Sequence, residues 1–169
     1  GANTQAEFRL ADLGVTQPAY VYDYFAGAGR LAQPSETISA AIEDGRSYWI
    51  VAPAGPSGIA VLGDAGHFVS LGKKRVTALL DDGEARVTLA CAEGERVRRI
   101  HGYSPTRPGV KALAGSVGRL FYDPVSRRFT VAVRPGSDRS ATVTLSRSAS
   151  APSAPRLSAP AGRSISPAP

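Results

Sequence analysis

Apolar and polar residues alternate with a period of two along most of this chain, the pattern of strands with one buried face. In RRFTVAVRP, Phe129, Val131 and Val133 fall on one side, with Thr130, Ala132 and Arg134 opposite. In ATVTLS, Val143 and Leu145 alternate with Thr142, Thr144 and Ser146, and ETISAAI sets Ile38 among polar neighbours before an Asp44-Gly45 turn. RVTALL and ARVTLACA flank Asp81-Asp82-Gly83, and an Asp-Gly turn between alternating runs predicts a hairpin. Glu93-Gly94 predicts a second tight connection, into ERVRRIHGY, and Asp123-Pro124 a third hairpin, between GRLFY and RRFTVAV.

The most apolar stretch, SYWIVAPAGPSGIAVLGD, holds two short runs, Tyr48 to Ala52 and Ile59 to Leu62, separated by a Pro/Gly turn. Both are too short and too rich in β-branched and aromatic residues for helices, so they read as buried strands with Trp49 in the core. About nine or ten strands are expected among eleven candidate runs, near residues 7–10, 20–25, 36–42, 47–52, 59–62, 75–80, 85–92, 96–103, 119–122, 129–133 and 141–145. Turn signals every ~8–12 residues with no sustained helical period predict an all-β fold, an antiparallel β-sandwich of Greek-key type. Pro108 to Val117, interrupted by Gly109 and Gly115, reads as a loop. Gly27-Ala28-Gly29 reads as a hairpin turn, because the third glycine and the helix of a phosphate-binding loop are missing.

From Arg147 the composition turns to Ser, Ala, Pro and Arg, which cannot bury enough surface to offset its ordering entropy. The expected organisation is a sandwich over residues 1–145 and a disordered tail or linker over 146–169. The tail also changes the meaning of the net charge of +6. It carries Arg147, Arg156 and Arg163 and no acid, leaving 17 basic against 14 acidic residues in the body. ERVRR, residues 95–99, is the one dense basic cluster, and as part of a strand its charges are expected to face water. A nucleic-acid surface needs a broader basic stripe with exposed aromatics, so no nucleic-acid partner is expected.

Hydrophobic residues at 43% and charged residues at 20% are ordinary for a globular protein. No apolar run approaches the ~20 residues that cross a bilayer, and no membrane partner is expected; the compartment stays open. The chain lacks Met and opens with Gly1-Ala2-Asn3, which we read as a piece of a longer protein or a processed product. The single Cys91 excludes an internal disulfide and reads as a buried, inert thiol beside Val87 and Leu89.

Candidate chemistry is sparse. His67 and His101 show no ligand or triad spacing, and no nucleophile elbow, P-loop or dinucleotide fingerprint occurs. We expect no metal and no cofactor. Asp44, Asp81, Asp82, Glu93 and Asp123 stand beside Gly or Pro, where such side chains satisfy turn backbone rather than act as a glycosidase pair. Asp23 differs, because it reads as mid-strand in AYVYDYFAG with Val21 and Phe25 on its own face, either buried with a partner or exposed at an edge. On the opposite face stand Tyr20, Tyr22 and Tyr24. A flat aromatic row can stack on sugar rings, so these three are candidate carbohydrate-binding residues; core packing is the competing reading.

VYDYFAGAGR, SYWIVAPAGPSGIAVLGDAGHFVSLGKKRV and EGERVRRIHGY together resemble the C-terminal β-sandwich of bacterial proteins related to raffinose synthase and family 36 α-galactosidases. The matching features are Tyr22-Asp23-Tyr24-Phe25, Tyr48 to Pro53, Gly58 to Asp64, His67-Phe68-Val69 and Lys73-Lys74-Arg75, with His67 standing where that group has lysine. The resemblance covers Tyr20 to Tyr103, and more loosely the strands up to Leu145. It implies a non-catalytic accessory domain that packs on a catalytic (β/α)8 barrel, because the family's two catalytic aspartates belong to the barrel. Asp23, Phe25, His67 and Phe68 are then the candidate domain-interface residues. The alternative is a carbohydrate-binding module gripping an oligosaccharide through the tyrosine row.

Overall fold

The computed structural model describes residues 4–42, 47–65 and 75–147, apart from the side chains of residues 4, 40 and 41. Thirteen strands account for nearly all regular structure there: β1 (Thr4–Arg9), β2 (Ala19–Asp23), β3 (Ala28–Ala32), β4 (Thr37–Ile42), β5 (Trp49–Pro53), β6 (Ala60–Gly63), β7 (Val76–Asp81), β8 (Ala85–Ala90), β9 (Arg98–Tyr103), β10 (Pro108–Ala114), β11 (Ser116–Asp123), β12 (Arg128–Arg134) and β13 (Ser140–Arg147). One 3-10 turn, Leu10–Leu13, follows β1. No helix among the described residues is long and apolar enough to cross a membrane.

The strands form four antiparallel sheets, ordered β1-β4, β3-β2-β5, β10-β13-β8-β7 and β11-β12-β9-β6. The all-β antiparallel sandwich expected from the alternation is therefore the architecture. The two four-stranded sheets enclose the main core. Val87 and Leu89 from β8, Ile100 from β9, Phe129, Val131 and Val133 from β12, and Val143 and Leu145 from β13 are all buried there. Apart from Ile100, these are residues that the period of two sets on one face of their strands. A second core, built on Leu10, Ala19, Val21, Ala32 and Ile38, lies within the N-terminal strands. A third cluster joins the two: Tyr20 of β2 stacks on Tyr103 of β9 with centroids 4.7 Å apart, beside Ala52, Ala54 and Ala60.

Several expectations need correction. Pro108 to Val117 is not a loop: it contains β10 and the start of β11. Pro108 is tolerated because it opens an edge strand paired only with β13, and Gly115 turns the corner in the left-handed region at φ 74°. Glu93-Gly94 forms the expected tight turn, with the Glu95 N–H on the Ala92 carbonyl at 3.1 Å, but it joins two sheets rather than a hairpin pair, since β8 pairs with β13 and β7 whereas β9 pairs with β12 and β6. The strands β5 and β6 lie in different sheets, joined by an Ala54–Ala60 bridge and by the cluster that Ala52 and Ala54 form with Ala60. β13 runs to Arg147, with Ser146 and Arg147 opposite Gly109 and Pro108, two residues beyond the expected boundary. Trp49 and Cys91 are half-buried rather than core. The expected hairpins at Asp81-Asp82-Gly83 and Asp123-Pro124 are present as β7–β8 and β11–β12.

In the basic cluster Arg96 and Arg99 are exposed as expected, and Arg98 is the exception. The Arg98 side chain is only 16% exposed and pairs with Asp64 at 2.9 Å and with Glu95, which also takes Arg75 at 2.9 Å. Two carboxylates within reach offset the cost of withdrawing the guanidinium from water. A chain pattern with this many charges reads as a wet face only when nothing packs over it.

Candidate functional site

β2 is the central strand of its sheet, and it is covered on both sides at its start. Tyr20 and Val21, on opposite faces, are each 1% exposed. Tyr20 therefore leaves the expected tyrosine row. Its phenol pKa is pushed upward, chiefly by burial, with Tyr103 and Tyr22 adding to this and Arg128 opposing it. Tyr22 and Tyr24 are half-buried and part company: Tyr22 lines a cleft, whereas Tyr24 lies beyond the end of the strand.

Asp23 ends β2 rather than sitting within it. Its Oδ1 accepts the backbone N–H groups of Phe25 and Ala26, each at 3.0 Å, and Gly27 takes φ 65° to bring the chain into β3. This is an Asx-type turn, so the carboxylate has a structural task. The turn displays an aromatic tip. Tyr24 makes edge contacts with Phe25 and with Tyr48, both at 5.6 Å, and the Tyr24 N–H donates to the Tyr48 carbonyl at 2.9 Å. Phe25 remains 62% exposed and Tyr48 40%. His67 and Phe68, the other expected interface residues, lie outside the described residues.

The cleft beside Tyr22 has a volume of about 580 Å³, with Leu62, His101, Phe121, Asp123 and Arg128 among its other walls. Arg128 holds the two halves of the protein together there. Its Nη1 donates to the Gly27 carbonyl at 2.7 Å, and its guanidinium lies 5.2 Å from the Tyr22 ring centroid. His101 Nδ1 lies 3.1 Å from the Thr130 hydroxyl. Asp123 accepts the Ser126 hydroxyl at 2.5 Å and the Val125 N–H at 3.0 Å, and these contacts, the hydroxyl foremost, hold its carboxyl below the usual range. Tyr122 donates to the Ser104 carbonyl at 3.2 Å, and burial raises its pKa.

Local sequence reading found Tyr22 but not the rest of this cleft. Arg128 and Gly27 are 101 residues apart, and no local pattern marks either as the other's partner. Among the described residues, no group of three or more His, Cys, Asp or Glu side chains could hold a metal ion.

The shifted carboxyls, Asp12, Glu36, Asp123 and Asp138, all move downward, whereas a glycosidase general acid is held upward. The downward shifts make a testable statement about stability. A carboxyl whose folded pKa is depressed stabilises the fold fully above its unfolded value of about 4. That contribution is lost as pH falls through the folded value. Thermal melts should therefore weaken as pH falls on the acid side, and Asp123→Asn with Asp138→Asn should flatten that limb. An acid limb equally steep in the double variant would refute the assignment.

No known protein family matches the chain, and no curated protein sequence matches it.

Proposed function

We propose that this sandwich is a non-catalytic accessory domain of a glycoside hydrolase that acts on α-galactosides or similar sugars, docking on a catalytic (β/α)8 barrel. The observation that carries the reading is the aromatic tip at the β2–β3 turn, where Tyr24, Phe25 and Tyr48 gather around a turn tied down by Asp23. Aromatic side chains bury roughly 150–250 Å² each, so a pre-ordered group of three offers a partner substantial apolar area at little entropic cost. The tip belongs to the segment that carries the resemblance, Tyr22 to Phe25 and Tyr48 to Pro53. The domain's work on this reading is mechanical: it covers apolar surface of the barrel and restrains its motion.

The reading frame that encodes this chain is the first test, and a barrel-coding sequence ahead of Gly1 is expected. In that longer polypeptide, Phe25→Ser with Tyr48→Ser should lower the temperature at which turnover of a chromogenic α-galactoside is lost. The same pair should leave unfolding of the chain by itself nearly unchanged, because both side chains are exposed. The chain by itself should hydrolyse no such substrate. Turnover by the chain, abolished by changing one of its acids, would overturn the proposal, as would a reading frame without a barrel.

A further inference from the structure

We infer that the cleft between β2 and the β9, β11 and β12 strands binds a neutral saccharide. This goes beyond the docking role and does not depend on it, since the aromatic tip and the cleft are made of different residues. The cleft lies where the N-terminal strands meet the main sandwich, and its ~580 Å³ falls within the roughly 300–1,000 Å³ of small-ligand sites.

Its walls combine ring surface with both kinds of hydrogen-bonding group. Phe121 is 53% exposed, with the Arg119 guanidinium over its ring at 4.3 Å from the centroid. Arg128 has five N–H donors, one of which goes to Gly27, and Asp123 offers carboxylate acceptors. A sugar presents flat C–H faces to such rings and hydroxyls that donate and accept, matching a donor and an acceptor on the same rim. Of the charged side chains that line the cleft, Arg128 and Asp123 offset one another, and Arg119, on the Phe121 ring, lies outside that lining. An anion drawn to Arg128 therefore meets the Asp123 carboxylate, and a purely apolar ligand would desolvate both charges without replacing their water. The polar groups are already positioned: Arg128 by Gly27 and the Tyr22 ring, Asp123 by Ser126 and Val125, His101 by Thr130. Binding then requires little further ordering of side chains.

The test is an amide NMR titration of the purified chain with raffinose, glucuronate and inorganic phosphate in separate arms, with calorimetry for affinity. Raffinose is expected to give saturable shifts centred on Tyr22, Gly102, Phe121 and Thr130. Phe121→Ala should weaken it about tenfold, equivalent to about 1.4 kcal/mol. Leu113→Ala, 53% exposed and not part of the cleft, should change nothing. Arg128→Lys preserves the charge and should also weaken binding. The inference fails if raffinose gives no saturable shift, or if only glucuronate or phosphate does. It fails equally if the shifts centre on Tyr24, Phe25 and Tyr48, or if affinity is untouched by both Phe121→Ala and Arg128→Lys.

Discussion

Gly102→Ala is expected to cost this protein more than about 4 kcal/mol of stability. Gly102 lies in β9, opposite Phe129 of β12 on one side and Val61 of β6 on the other. A Cβ there would stand 2.4 Å from Phe129 Cζ and 2.5 Å from the Ala60 carbonyl oxygen. Neither neighbour can retreat cheaply. The Phe129 ring is 2% exposed in the main core, and the Ala60 oxygen is backbone in the paired strand. Overpacking usually costs about 1–3 kcal/mol, but that range assumes side chains that can shift. Here two fixed walls are met at once, and a loss above about 4 kcal/mol is expected. Such a loss is a large share of the roughly 5–15 kcal/mol that holds a typical domain together. Gly83→Ala is the comparison: its φ of 114° is unfavourable for alanine, but no atom lies within 4 Å of the added carbon. Backbone strain of about 1–3 kcal/mol is its whole cost. Thermal melts followed by near-ultraviolet circular dichroism would separate the two, and a Gly102→Ala protein as stable as Gly83→Ala would refute this account of the core.

The second large effect is expected at Asp81, the last residue of β7. Turn chemistry alone assigns this carboxylate to its own hairpin, where Oδ1 does accept the Gly83 N–H at 3.1 Å. It also reaches across to the turn between β5 and β6. Oδ1 accepts the Ser57 N–H at 3.0 Å and Oδ2 the Ser57 hydroxyl at 2.6 Å, while the Ser57 oxygen in turn accepts the Ile59 N–H at 3.0 Å. Ser57 is 1% exposed, so removing the carboxylate strands a buried donor pair. Hydrogen bonds to charged groups contribute roughly 1.5–3 kcal/mol, and leaving a buried partner unsatisfied adds to the loss. Asp81→Ala should cost about 3 kcal/mol, or roughly 2–4 °C in Tm for each kcal/mol at this chain length. Asp81→Asn, which retains one acceptor, should fall between the two. A melting temperature for Asp81→Ala within a degree or so of the parent would show that the clamp contributes little.

Asp81 shows how much of the protein is readable locally. An Asp-Gly pair between alternating runs marks a hairpin because the turn geometry and the side chain that satisfies it lie within a few residues. Its second attachment, to Ser57, spans 24 residues and has no local sign. The same division runs through the site. The alternation around Asp23 reads as mid-strand, yet Asp23 ends β2 and ties down an Asx-type turn through Phe25 and Ala26. The cleft has no local sign at all, because Tyr22, Phe121 and Arg128 come from three strands far apart in the chain.

What the chain pattern by itself determined was the class of the fold and the inward faces of its best strands, since Phe129, Val131, Val133, Val143 and Leu145 occupy the core that their alternation assigns them. It determined the two Asp-initiated hairpins for the same reason, that both signals are local. Only the tertiary structure decided what lies over each face. A period of two says that one side of β2 differs from the other, yet Tyr20 and Val21 are both buried because a different core covers each side. Arg98 turned inward because Asp64 and Glu95 wait for it, and β10 formed because β13 offered it an edge. Burial depends on the partner surface, and partners are chosen by long-range packing that no short stretch of sequence contains.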